Sequence, residues 1–202
     1  MASVTKAQIV NLALAHIHQT QTSITNLDTD TGLTAVQARI HYDVCRRFVL
    51  ADHYWNFAKK RVTLAVSGQV APTNWIYRYD YPSDCLHFRN IERDTRTEVP
   101  LPFDIEDDGT DSGLCIVSDK YQAVGVYTRD VENTALFSPG FVIALGWYLG
   151  SELAPSLTGN MKIQEACLTV YRSTYNAAQA VNSNEVTSDD QLDSPWERAR
   201  QS

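Results

Sequence analysis

The chain has 202 residues, 44% of them hydrophobic, and a net charge of −7. That length and composition suit one globular domain whose own core suffices without a disulfide or metal staple. The acidic balance argues against a protein built to grip phosphates, because such binding draws on a surplus of Lys and Arg.

No apolar run reaches the roughly 18 residues of a membrane span, since Gly150 and Glu152 interrupt the longest one. The segment Met1 to Lys6 lacks the basic-then-apolar order of a secretory signal, which predicts a product that stays in the cytoplasm where it is made.

The first helix is predicted over about 5–18. Thr5 and Gln8 have capping-box spacing, and Ile9, Leu12, Ala13, His16 and Ile17 recur at three- and four-residue steps. A polar connection rich in Thr, Asn and Asp follows to Thr34. The second helix, about 33–54, carries an apolar stripe of Leu33, Val36, Ile40, Val44, Phe48 and Ala51, expected to be its buried face. Arg39, Asp43, Arg46 and Arg47 lie mostly off that stripe.

After Trp55 the period shortens to two. Val62, Leu64 and Val66 alternate with Arg61, Thr63 and Ala65, and Trp75, Tyr77, Tyr79 and Tyr81 share one face of a strand that stops at Pro82. Further strands are expected at 86–91, 114–117 and 122–128. Polar turns such as Asp108-Gly109 and Ser112-Gly113 favour antiparallel pairing. The β lobe so outlined covers about 56–131, with Trp55 and Phe57 buried where the second helix meets the sheet.

Ser138-Pro139 then reads as an N-cap followed by proline at the first helical position, opening a third helix over about 139–154. Its wide apolar face includes Phe141, Val142, Leu145, Tyr148, Leu149 and Leu153. Gly146 and Gly150 leave a groove for another backbone. The fourth helix, about 160–182, aligns Ile163, Cys167, Val170, Tyr171, Thr174, Ala178 and Val181. Residues 183–202 form an extended, polar and acidic tail ending in Trp196, Arg198 and Arg200. The fold class is α+β: an antiparallel four-helix core, two helices from each end of the chain, with an antiparallel β insertion. Residues 1–182 make a single domain.

Candidate chemistry is sparse. Cys45, Cys85, Cys115 and Cys167 show no metal or redox spacing and read as buried or half-buried thiols. His16 and His18, two apart on a helix, point about 200° away from each other and cannot share one ion. His41, His53 and His87 lack ligand neighbours. Asp104, Glu106, Asp108 and Gly109 imitate the start of a calcium loop, but Cys115 stands where the closing Glu belongs, so an acidic surface hairpin is expected. No nucleophile elbow, phosphate loop or zincin motif occurs, and neither catalysis nor a cofactor is expected. The aromatic strand has only Arg78 interleaved and no basic cluster beside it, which favours a packed sheet face over a base-stacking platform.

Five segments, in order, resemble the tail tubular protein A family, the head-to-tail adaptors of short-tailed bacteriophages. Gln8 to Leu14 is similar to the first helix, and residues 49–61, with Trp55-Asn56-Phe57-Ala58, to the turn from helix into first strand. Tyr79, Pro82, Asp84, Cys85 and Leu86 fit a Tyr-x-x-Pro-x-Asp-Cys-Leu element. Phe141 to Gly159 resembles the third helix and the corner after it, and residues 194–200 the Trp-x-x-Ala-Arg end. The chain departs from the family where Ile17-His18 replaces a small residue or glycine after the first helix, and the loop from Glu92 to Gly113 matches poorly. The resemblance implies a dodecameric ring in the virion, docked beneath the portal protein, that receives the tail nozzle protein and lines the DNA channel without tight binding. Trp196, Arg198 and Arg200 would then contact the portal or a neighbouring subunit, and Trp55, Phe57, Tyr81 and Pro82 would be structural. From the residues alone, a monomeric protein-binding module or assembly chaperone remains the alternative.

Overall fold

A computed structural model describes residues 4–19, 23–94, 100–109 and 113–184. Four helices, α1 (Lys6–His16), α2 (Leu33–Asp52), α3 (Pro139–Thr158) and α4 (Met161–Asn184), flank six strands in an α+β fold. The strands are β1 (Lys59–Thr63), β2 (Tyr77–Asp80), β3 (Cys85–Ile91), β4 (Phe103–Asp107), β5 (Leu114–Ser118) and β6 (Val124–Arg129). They form two small antiparallel sheets, ordered β1-β6-β3 and β2-β5-β4. The chain divides into two compact units, one comprising Tyr42–Phe137 and the other Lys6–His41 with the chain from Ser138; the division falls within α2.

In the helical unit α3 packs against both α1 and α4. Ser138 Oγ accepts from the Phe141 N–H at 3.3 Å, with Pro139 in the first turn as expected. The glycine groove is filled by α1. A Cβ on Gly150 would stand 3.2 Å from the Ala13 carbonyl oxygen, and one on Gly146 would stand 2.9 Å from Leu12 Cδ2. The third helix runs beyond the expected end at 154. Pro155 removes one backbone bond, yet the buried Leu153 and Ala154 keep the turn packed, and Gly159 (φ 62°) closes the helix at Thr158. The first helix instead stops early, at His16. Gln19 N–H donates to Leu14 O and His18 N–H to Ala15 O, a Schellman closure with His18 left-handed at φ 62°. The polar connection is tied down: Asn11 brackets the backbone of Ile24, and the Arg39 guanidinium donates to the carbonyls of Leu27 and Asp30.

In the other unit the two sheets enclose one core of Leu64, Tyr79, Phe88, Ile91, Ile116, Ala123 and Tyr127. Tyr77 and Tyr81 pack against it, so these tyrosines form a core-facing row. A Cβ on Gly125 would lie 2.8 Å from both Leu64 Cδ2 and Phe88 Cε2, which explains a glycine in mid-strand. Beyond β1 the chain crosses to the second sheet, where Ser67 N–H donates to Arg78 O and Asp80 N–H to Ala65 O. The acidic segment is the hairpin β4–β5, with Glu106 opposite Cys115.

The second helix overturns one expectation. Its buried face is Ala35, Ala38, Tyr42, Cys45 and Val49, whereas Leu33, Val36, Ile40, Val44 and Phe48 face outward. Both rows are apolar at three- and four-residue steps, so periodicity alone cannot choose between them. The larger side chains made the wrong row look like the core.

Candidate functional surfaces

Among the described residues, the outward row of α2 sets five large apolar side chains along one helix. Leu33 is 81% exposed, Val36 37%, Ile40 60%, Val44 69% and Phe48 47%. With roughly 150–200 Å² per side chain, they present on the order of 500 Å² of apolar area. The largest patch on a typical monomer is about 300–600 Å² and is often functional. From Leu33 to Phe48, fifteen helical rises spread it along about 22 Å.

The second half of α2 is anchored by ions. The Arg46 guanidinium is 1% exposed and donates to Asp130, to the Val131 carbonyl at 2.8 Å and to Asp43 at 3.2 Å. Burial disfavours its charge, but Asp130 and Asp43 outweigh that and raise its pKa. Arg47 holds the other Asp130 oxygen at 2.9 Å. The sequence shows Arg46 only as a residue off the apolar stripe, and its 84-residue reach to Asp130 has no local signature.

Trp55 and Phe57 stand just beyond this helix. Trp55 is buried, and its indole N–H donates to the Val49 carbonyl at 2.8 Å. Phe57 is half-buried between Trp55 and Phe137, with ring centroids 6.0 and 5.7 Å away. The fully buried Trp55 thus ties the helix-to-strand turn back to the last turns of α2.

Tyr81 and Pro82 line an open cleft of about 480 Å³ with Asp80, Cys85, Asp108 and Cys115. The Cys85 thiol donates to Tyr81 Oη at 3.2 Å. Burial raises the pKa of both groups, and of Cys115, so all three stay protonated at neutral pH. Among the described residues the cleft is lined by the carboxylates Asp80 and Asp108 and by no histidine. Beside it Asp84 accepts from Lys60 Nζ and from Tyr127 Oη, both at 2.7 Å. Burial would raise the Asp84 pKa, but these two bonds prevail and lower it. This cluster ties β1 and β6 to the turn before β3.

Contrary to expectation, His16 and His18 do not share a helix, because α1 ends at His16. His16 stacks on Trp147 with centroids 3.5 Å apart, while His18 occupies the left-handed closure. Among the described residues, no group of three or more His, Cys, Asp or Glu could hold a metal ion, and no helix is long and apolar enough to cross a membrane. Cys45, Cys115 and Cys167 are buried free thiols and Cys85 is half-buried.

The chain matches no family model and no curated protein. Trp196, Arg198 and Arg200 lie outside the described residues. Lys59 and Arg61 of β1 and Arg93, just past β3, border one basin with Glu92 and Asp94, and Arg89 of β3 bonds Thr128 beside it, a mixed-charge grouping that the sequence does not lead one to expect. Their separation along the chain hides it.

Proposed function

We propose that this chain is a structural subunit that assembles through the outward face of α2, in the manner of a head-to-tail adaptor of a tailed phage. In this reading, copies form a ring beneath a portal protein, receive a tail nozzle protein and leave a channel for DNA. The four helices share an antiparallel core into which the strands are inserted, and the tail with Trp196, Arg198 and Arg200 reaches the portal or a neighbour.

The observation that carries the reading is the exposed row Leu33, Val36, Ile40, Val44 and Phe48. An amphipathic helix normally buries its single apolar face; α2 has two, and only one is used inside the subunit. A standard interface takes about 800 Å² from each partner, so this row could supply the apolar centre of one. A closed ring joins two unlike faces, which a helix row meeting a different surface of the next copy satisfies. The order of the five family-like segments supplies the phage context.

The test is size in solution, with and without a portal ring. Wild type should form a ring, alone or on the portal, and Ile40→Asp with Val44→Asp should abolish assembly while melting within about 2 °C of wild type. A wild-type chain that stays monomeric on the portal, or a variant that assembles normally, would sink the proposal.

A further inference from the structure

The face of the β1-β6-β3 sheet that carries Thr128 and Val126, themselves buried, is bordered by more positive charge than the net charge of −7 suggests. Its register sets Lys59 opposite Thr128 and Arg61 opposite Val126, with His87 and Asn90 beyond the same two β6 residues. Directly paired residues of neighbouring strands share a face, so these side chains line one surface. Arg89 falls in the irregularity between Phe88 and Asn90, and its guanidinium turns onto that surface. Nε donates to Thr128 Oγ1 and Nη2 to the Trp55 carbonyl, each at 3.1 Å, with the Tyr54 ring centroid 4.5 Å away. A basin of about 370 Å³ is lined by Lys59, Arg61, Asn90 and Arg93, together with the carboxylates Glu92 and Asp94.

Those carboxylates are already engaged, Glu92 by Arg61 at 2.9 Å and Asp94 by Lys120. Lys59 forms no ion pair among the described residues. Burial, then Arg61 and Arg89, lower its pKa, with Glu92 opposing. Arg89 likewise meets no carboxylate there, and burial lowers its pKa to about 10. A half-buried guanidinium and an unpaired ammonium that repel each other cost free energy, which an incoming anion would recover. Lys59, Arg61 and Arg93 border one volume with the Asn90 amide, and Arg89 stands beside it on Thr128, so several donors are available to an oxyanion such as phosphate, which offers more acceptors than a carboxylate.

We propose that this sheet face is a phosphate-binding surface, with Lys59, Arg61 and the Asn90 amide contacting the oxyanion and Arg89 supplying positive charge behind them. The phosphate comes either from a nucleic-acid backbone or from a free phosphate, and two probes separate the sources. The inference does not rest on the ring, because the face exists in a single subunit.

The experiment uses the full chain, a labelled 20-base-pair duplex followed by fluorescence anisotropy, and inorganic phosphate followed by melting temperature against chloride at equal ionic strength. With two or three phosphates contacted, duplex affinity should fall roughly 10- to 40-fold between 50 and 200 mM salt. Lys59→Gln with Arg61→Gln should weaken duplex binding at 50 mM by at least about fivefold. Both side chains are exposed, so the variant should melt like wild type; if it does not, Lys59→Gln alone is read instead. Duplex binding lost in the variant supports a nucleic-acid source. A melting rise with inorganic phosphate only, absent from the variant, supports the free anion. No response to either probe, or an undiminished response in the variant, overturns the proposal. Sizing the same variant separates this result from the assembly question, since Lys59 and Arg61 lie off the α2 row and their loss should leave assembly intact.

Discussion

His18 adopts φ 62° to close the first helix, a conformation that costs an L-residue about 1–2 kcal/mol and that glycine takes freely. Glycine loses more chain entropy on folding, so His18→Gly should stabilise the protein by only about 0.5–1 kcal/mol. That corresponds to a melting rise of about 1–3 °C, and an unchanged or lower value would mean that the imidazole contributes something the closure does not require. Two residues earlier, His16 lies flat on Trp147, its Nε2 buried with no hydrogen-bond partner among the described residues. Burial lowers its pKa below 6.5, so the fold favours the neutral ring. The unfolded chain therefore binds the proton more readily. The contribution of His16 is complete above about pH 6.5 and is lost as pH falls through that value toward the folded pKa. His53, shifted the same way by burial and then Arg89, adds to this loss. Urea midpoints should therefore drop between pH 7.5 and 5.5, and His16→Phe, which keeps the stack without titrating, should reduce the drop. An equal drop in that variant would assign the acid sensitivity elsewhere.

At the scale of elements, α2 is held from inside by Arg46, whose carboxylate partners differ greatly in exposure. Asp130 is 16% exposed and Asp43 61%. Removing the protected partner strands a buried guanidinium, so Asp130→Ala should cost about 3–5 kcal/mol. Asp43→Ala should cost no more than about 1 kcal/mol, because solvent screens that pair. Chemical denaturation of the two variants checks the contrast, and similar losses would show that Arg46 does not depend on Asp130. This pair also marks what a linear reading can reach. The four helices, the Ser138-Pro139 start of α3 and most strands are legible because capping residues and apolar periods are local signals. The strand β4 (Phe103–Asp107) is legible only as an acidic hairpin, since Asp104, Glu106 and Asp107 mask its alternation. The orientation of α2 is not legible at all: a row of Ala, Cys, Tyr and Val is buried while a bulkier row beside it faces solvent. The cationic face is hidden for another reason, because Lys59 and Arg89 meet only through the pairing of β1 and β3 with β6.

For the whole molecule, charge and apolar surface oppose each other. Each copy carries −7, so copies repel, and that repulsion weakens as salt shortens the Debye length from about 10 Å at 0.1 M to 3 Å at 1 M. The contact proposed on α2 is apolar and does not weaken under screening. Assembly should therefore rise with salt, and sedimentation velocity at 50 and 500 mM sodium chloride should show a larger assembled fraction at the higher value. Phosphate binding on the β1-β6-β3 face should move the other way, because salt competes with every cation–phosphate contact. The two responses can be read from one preparation and have opposite signs. If assembly instead falls apart at 500 mM, ion pairs and not the row from Leu33 to Phe48 hold the copies together, and the role assigned to α2 fails even if a ring forms at low salt.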